Sequence, residues 1–124
     1  MTHLILMIVF LIQMESGGNN FAVGDGGRSL GCLQIGAAVI EDVNRVYSRK
    51  YTWTDAVDRN KSREICALYL LHWGKEYQRE TGNEPTPDIY ARIWCGGPYG
   101  WKKKSTREYG WRMLNLVRQY EQGE

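Results

Sequence analysis

Residues 4–12 read LILMIVFLI, a continuous apolar run that flows straight into Gln13-Met14-Glu15-Ser16-Gly17-Gly18. The run is too short to span a bilayer as a helix, which takes about 20 residues. Its flank holds His3 but neither Lys nor Arg, so it does not read as a convincing signal peptide. It predicts a first core helix over residues 4–16, apolar all round because it is buried, and stopped at Gly17-Gly18. Residues 17–31 (GGNNFAVGDGGRSLG) lose all periodicity; they predict an irregular loop or short hairpin with Asp25-Gly26-Gly27 as its turn. Val39, Ile40, Val43, Val46 and Tyr47 then recur at helical spacing and predict a helix over 37–47.

Residues 48–60 are polar and read as irregular. A third helix is expected over 62–80, with Ile65, Leu68, Tyr69, Trp73 and Tyr77 on one broad face. Thr86-Pro87-Asp88 opens a fourth helix, and Gly96-Gly97-Pro98 stops it. Ser105-Thr106-Arg107-Glu108 has the form of a capping box for a last helix that turns Met113, Leu114, Val117 and Tyr120 inward. The pattern predicts a mostly α chain, or α+β with at most a small sheet in the 20s and low 30s. The 124 residues fit a single domain, 1–124.

Composition narrows the function classes. The net charge of +2 comes with no long basic stripe, so no nucleic-acid partner is indicated, although a slightly basic surface suits an anionic polymer such as a cell wall. Cys32, Cys66 and Cys95 have no C-x-x-C spacing, and an odd set cannot close a disulfide framework. They read as buried or half-buried thiols, with at most one pair bridged. His3 and His72 are the two histidines, and His72 lies in a core-like helix. No metal, cofactor or stable membrane insertion is expected, and the chain reads as a monomer. A phosphate-binding glycine loop is not expected either, because residues 24–31 lack its lysine and a preceding strand.

Glu15 stands out because it follows eleven uncharged residues at the end of an apolar helix. The negative end of the helix dipole and partial burial both disfavour an ionised carboxylate, which suits a general acid. An ordinary surface glutamate at a helix end fits the position equally well. Asp25 is the nearest carboxylate in the Gly-rich loop; it reads first as a turn residue and second as the partner carboxylate that glycosidases generally need. Tyr90, Trp94, Tyr99, Trp101, Tyr109 and Trp111 crowd the last third. Most have core spacing, whereas Tyr99 and Trp101, beside Lys102-Lys103-Lys104 and Arg107, are candidates for a sugar-stacking surface.

Four segments carry a family resemblance. Glu15-Ser16-Gly17-Gly18-Asn19 resembles the E-S-x-G-N segment of soluble lytic transglycosylases and goose-type lysozymes, and Gly31-Cys32-Leu33-Gln34-Ile35 is similar to their G-L-M-Q-I. The stretch from Tyr90 to Gly100 (YARIWCGGPYG) resembles the A-R-I-H-N-G-G-P-x-G of invertebrate-type, destabilase-like lysozymes. Thr106-Arg107-Glu108-Tyr109 is similar to the T-x-x-Y that follows in both groups. The segments occur in the family's order and span about residues 4–117.

The resemblance implies a lysozyme-like fold with a glycan cleft between helical lobes and peptidoglycan glycan strands as partner. It implies Glu15 as catalytic acid, Asp25 as its second carboxylate, and Ser16, Gln34, Trp94, Gly96, Gly97, Tyr99 and Tyr109 as substrate-binding. Trp94-Cys95 departs from the family's His-Asn pair, removing polar groups from the expected cleft floor; Cys32 departs from Gly-Pro-Leu-Gln relatives. The absence of dense disulfides suits a bacterial or phage setting, with action at the cell wall or periplasm or as a phage lysin.

The expected activity is hydrolysis of the β-1,4 bond between N-acetylmuramic acid and N-acetylglucosamine. Lytic transglycosylation, leaving 1,6-anhydro-muramic ends, is the alternative mechanism. A non-catalytic glycan-binding or phage structural domain is the alternative of another class.

Overall fold

A computed structural model describes residues 2–123, with side chains from residue 4 on. Met1, Glu124 and the side chains of Thr2 and His3 lie outside it. Among the described residues the chain is mostly helical, with one small sheet. The order is α1 (Thr2–Ser16), β1 (Val23–Gly24), β2 (Ser29–Leu30), α2 (Ala37–Tyr47), α3 (Arg59–Thr81), α4 (Pro87–Gly96) and α5 (Arg107–Gln122), with short helical turns between. No helix among them is long and apolar enough to cross a membrane. Among the described residues, 2–10 with 70–123 form one compact unit and 11–69 a second.

In the unit of residues 11–69, β1 and β2 pair antiparallel, Val23 opposite Leu30 and Gly24 opposite Ser29, across the Asp25–Gly27 turn. The core is Leu11, Ile12, Cys32, Leu33, Ile35, Ile40, Val43, Ala56, Ile65, Cys66 and Tyr69. Residues 48–60 are more ordered than their polarity suggests. Trp53–Val57 is a helical turn whose Asp55 carboxylate accepts the Thr52 N–H at 2.8 Å. That bond, the nearby Lys61 and the Thr52 hydroxyl hold the Asp55 carboxyl below its usual range, against a smaller opposing effect of burial. α3 starts at Arg59 instead of residue 62, because Asp58 accepts the Lys61 N–H on its side chain (3.0 Å) and the Ser62 N–H on its carbonyl (2.8 Å).

In the other unit, α4 packs on α5 around Ala91, Ile93, Met113 and Val117. Pro87 begins α4 where the Thr-Pro-Asp signal put it. The capping box expected at Ser105–Glu108 does not form. Thr106 is the residue before α5, but its hydroxyl donates to the Gly100 carbonyl (2.6 Å) and accepts from Arg92 Nε (2.9 Å). A buried carbonyl in the preceding turn outcompetes the helix end for that hydroxyl. Tyr120, expected inward, is 49% exposed, with its ring edge on Phe10 at 6.1 Å.

α1 also departs from expectation. Leu4, Met7, Ile8, Phe10, Leu11 and Ile12 are buried, but Ile5 and Val9 are 62% and 49% exposed. Spaced four residues apart, they form an apolar stripe facing out.

All three cysteines are free thiols: Cys32 and Cys66 are buried, and Cys95 is exposed where a buried or half-buried thiol was expected. The thermal midpoint is therefore expected to be unchanged by reductant, and one thiol per native chain should react with a thiol reagent. A midpoint that drops on reduction would reveal a bridge and overturn this assignment.

Candidate functional site

Glu15, Ser16, Asp25 and Gln34 all lie in the unit of residues 11–69. Glu15 is half-buried in the last turn of α1, which closes as the Gly17 N–H donates to the Gln13 carbonyl (3.0 Å). The next residue fastens this helix end. The Ser16 hydroxyl donates to the Cys32 carbonyl at 2.8 Å, has the Ile12 carbonyl at 3.2 Å, and accepts the Gly18 N–H at 3.1 Å. Glu15 is thereby tied to the Gly31–Ile35 segment sixteen residues on.

That segment is a tight loop. Leu30 and Ile35 exchange backbone hydrogen bonds (3.1 and 2.9 Å), and the Gln34 N–H donates to the Gly31 carbonyl (3.1 Å). Cys32, Leu33 and Ile35 are fully buried and anchor it. Gln34 takes a left-handed backbone, φ 53°, which is rare for a side chain of its size. Its Nε2 donates to the carbonyls of Gly31 (3.0 Å) and Ala22 (3.1 Å). Its Oε1 lies over Gly24, where a Cβ would stand 2.0 Å away. Both amide protons are thus committed to the two ends of the hairpin, Ala22 before β1 and Gly31 after β2, and only Oε1 is left for a ligand. Ser16 and Gln34, both expected to bind substrate, hold backbone segments together through these bonds.

Below the loop, the Cys32 thiol lies 3.8 Å from the Ser62 hydroxyl, both buried. Burial pushes the Cys66 thiol well above its usual range, and the neighbouring Cys32 and Glu15 charges add to the effect. Glu15 is therefore within electrostatic reach of Cys66 on α3.

Asp25 sits at the hairpin tip with its side chain 69% exposed, 3.9 Å from Arg28 Nε, and on a left-handed backbone (φ 51°). Its carbonyl accepts the Arg28 N–H and Nε–H, each at 3.2 Å. The turn role read from the sequence is present in full.

The remaining residues singled out belong to the other unit. Trp94 is 9% exposed, too little to offer a face to a sugar, and fills the core instead. Gly96 lets α4 end against Thr106, whose Cγ2 would be 2.6 Å from a Cβ there, and Gly97 (φ 91°) turns the chain out of the helix. Tyr99 is 51% exposed. Lys102 Nζ lies 5.2 Å from the Tyr99 ring and 5.0 Å from the Trp101 ring while pairing with Glu80 at 2.8 Å. Trp101 meets Tyr77 edge-on at 4.8 Å. In this aromatic and cationic cluster Tyr99 is exposed and Trp101 half-buried. Tyr109 is half-buried with the Arg112 guanidinium 5.8 Å from its ring. His72 stacks edge-on to Trp73 at 4.6 Å, in keeping with a packing role.

Sequence reasoning missed Arg59. Its guanidinium donates to the Gly18 carbonyl (3.2 Å) and to Asn20 Oδ1 (2.7 Å), clamping the segment after Glu15. Nothing local marks it, because its partners are some forty residues away. It also missed Phe21, the most exposed large hydrophobic side chain described, at 73%. An aromatic in a Gly-Asn-rich loop was the available signal. Compared with models of protein families, with curated proteins and with solved structures, the chain matches none of them.

Proposed function

We propose that the chain cleaves peptidoglycan at the β-1,4 bond between N-acetylmuramic acid and N-acetylglucosamine, with Glu15 as proton donor. The observation that carries this reading is the fastening of the Glu15 helix end, through the Ser16 hydroxyl, to the Gly31–Ile35 loop. Two segments that are only similar to lysozyme-like motifs in sequence are hydrogen-bonded to each other in space. A half-buried carboxyl at a helix end is placed where a glutamic acid can serve as a general acid.

In this reading Glu15 protonates the glycosidic oxygen as the bond to the muramoyl C1 breaks. The exposure of Asp25 favours the transglycosylase version of the second half. The 6-hydroxyl of the same muramoyl ring then attacks C1, and the Glu15 carboxylate takes the hydroxyl proton, so a second carboxylate is not needed. In the hydrolytic version water takes the place of that hydroxyl, and Asp25 would have to leave Arg28 to assist. Digestion of purified peptidoglycan by the parent and by Asp25→Asn, read by mass spectrometry, separates the two. Anhydro-muramic ends at the same rate from both proteins are expected. Reducing muramic ends that disappear in Asp25→Asn would establish hydrolysis with Asp25 as partner.

A further inference from the structure

The segment between Glu15 and β1 holds an aromatic ring in water on a fixed backbone. Phe21 is 73% exposed and Val23, two residues on, is 66% exposed, while Ala22 between them is half-buried. Exposing side chains of this size forgoes the stabilisation their burial would give. The loop is nevertheless closely held. The Phe21 N–H donates to Asn19 Oδ1 at 2.9 Å, Arg59 clamps Gly18 and Asn20, and the Ala22 carbonyl accepts from both the Gly31 N–H (2.8 Å) and Gln34 Nε2 (3.1 Å).

The same bonds place Phe21 near Glu15. Two successive turns, closed by Asn19 N–H to Ser16 O and Ala22 N–H to Asn19 O (3.4 Å each), carry the chain from Ser16 to Ala22. Each such turn brings its ends to within about 7 Å, so the two backbones lie within roughly 14 Å. Ser16 and Ala22 also bond to adjacent residues, Cys32 and Gly31. An oligosaccharide of two or three rings spans that separation.

We propose that Phe21, with Val23 beside it, is a stacking shelf for the apolar face of an N-acetylhexosamine ring in the glycan that Glu15 cleaves, so that Phe21 sets how tightly the strand is held. This rests on the glycan-cleaving reading. An amphipathic sugar ring presents C–H groups on one face, and a flat aromatic ring carried on a held backbone covers them with little ordering of the loop on binding.

The test is binding without turnover. In a Glu15→Gln background, affinity for a β-1,4-linked N-acetylglucosamine tetramer and for insoluble peptidoglycan is measured for Phe21 and for its Ala, Leu and Trp variants. Both Phe21→Ala and Phe21→Leu should weaken binding about tenfold, since both lose the ring face, while Phe21→Trp stays within about twofold. The side chain is exposed, so thermal midpoints should coincide. If Glu15→Gln binds glycan and Phe21→Ala binds equally well, the shelf is overturned while the cleavage reading stands. If Phe21→Leu matches the parent, bulk apolarity replaces ring stacking and the shelf is likewise overturned. If Glu15→Gln binds neither ligand, both readings fall.

Discussion

Replacing Glu15 with Gln should abolish lysis of a cell-wall suspension while leaving the thermal midpoint within a degree or two of the parent. The amide keeps the shape of the carboxyl and its hydrogen-bonding capacity, but it has no acidic proton to give. General acid–base assistance contributes about 10²–10⁴-fold in rate, so turbidity loss should fall by at least that range. The fold should tolerate the change because the helix end is held by neighbours: the Ser16 hydroxyl on the Cys32 carbonyl, and the Gly17 N–H on the Gln13 carbonyl. A purified variant that lyses walls at the parent rate removes Glu15 from the chemistry. A parent with no activity on any peptidoglycan favours the non-catalytic glycan-binding alternative instead.

The largest structural effect is expected from Gly31→Ala. Gly31 has φ 87°, and a Cβ there would stand 1.8 Å from the Ala56 carbonyl oxygen and 2.7 Å from its carbon. Those are backbone atoms in a helical turn whose Ala56 is fully buried, so they cannot swing aside as a side chain would. The positive φ and the steric overlap together should destabilise by roughly 2–4 kcal/mol, or about 6–15 °C in thermal midpoint for a chain of this length. Gly17→Ala is the control. It also has a positive φ (63°), but a Cβ there meets nothing within 4 Å, so only the backbone penalty of about 1–2 kcal/mol applies. Equal midpoints for Gly31→Ala and the parent would mean that the Gly31–Ile35 loop does not press on the 53–57 turn as described. Glycan cleavage by the Gly31→Ala protein should fall with its stability, since that loop carries the carbonyl to which Ser16 is tied.

Much of the secondary structure was legible because it is set by neighbours in the chain. The span of α2 follows from five apolar residues at helical spacing. The start of α4 follows from Thr86-Pro87, where proline's fixed φ and missing N–H suit a first turn. The hairpin follows from Asp25-Gly26-Gly27, because those residues accept the left-handed angles its turn requires. The motif residues Glu15, Ser16 and Gln34 were visible as letters in an order, and that was enough to place them in one proposed site.

Tertiary structure decided what each residue does there. Gln34 turns back onto Ala22 and Gly31, and Ser16 onto Cys32, so two residues expected to touch substrate are occupied with backbone. Trp94 is buried, Thr106 leaves its cap for the Gly100 carbonyl, and Ile5 and Val9 face outward from a helix whose composition gives no direction. Arg59 reaches Gly18 and Asn20 across about forty residues, and Phe21 is left in water on the loop that Arg59 clamps. The physical reason is common to all of them. Periodicity and turn chemistry depend on residues a few positions apart, whereas burial and the choice of hydrogen-bond partner depend on which distant segments the packed core brings within reach.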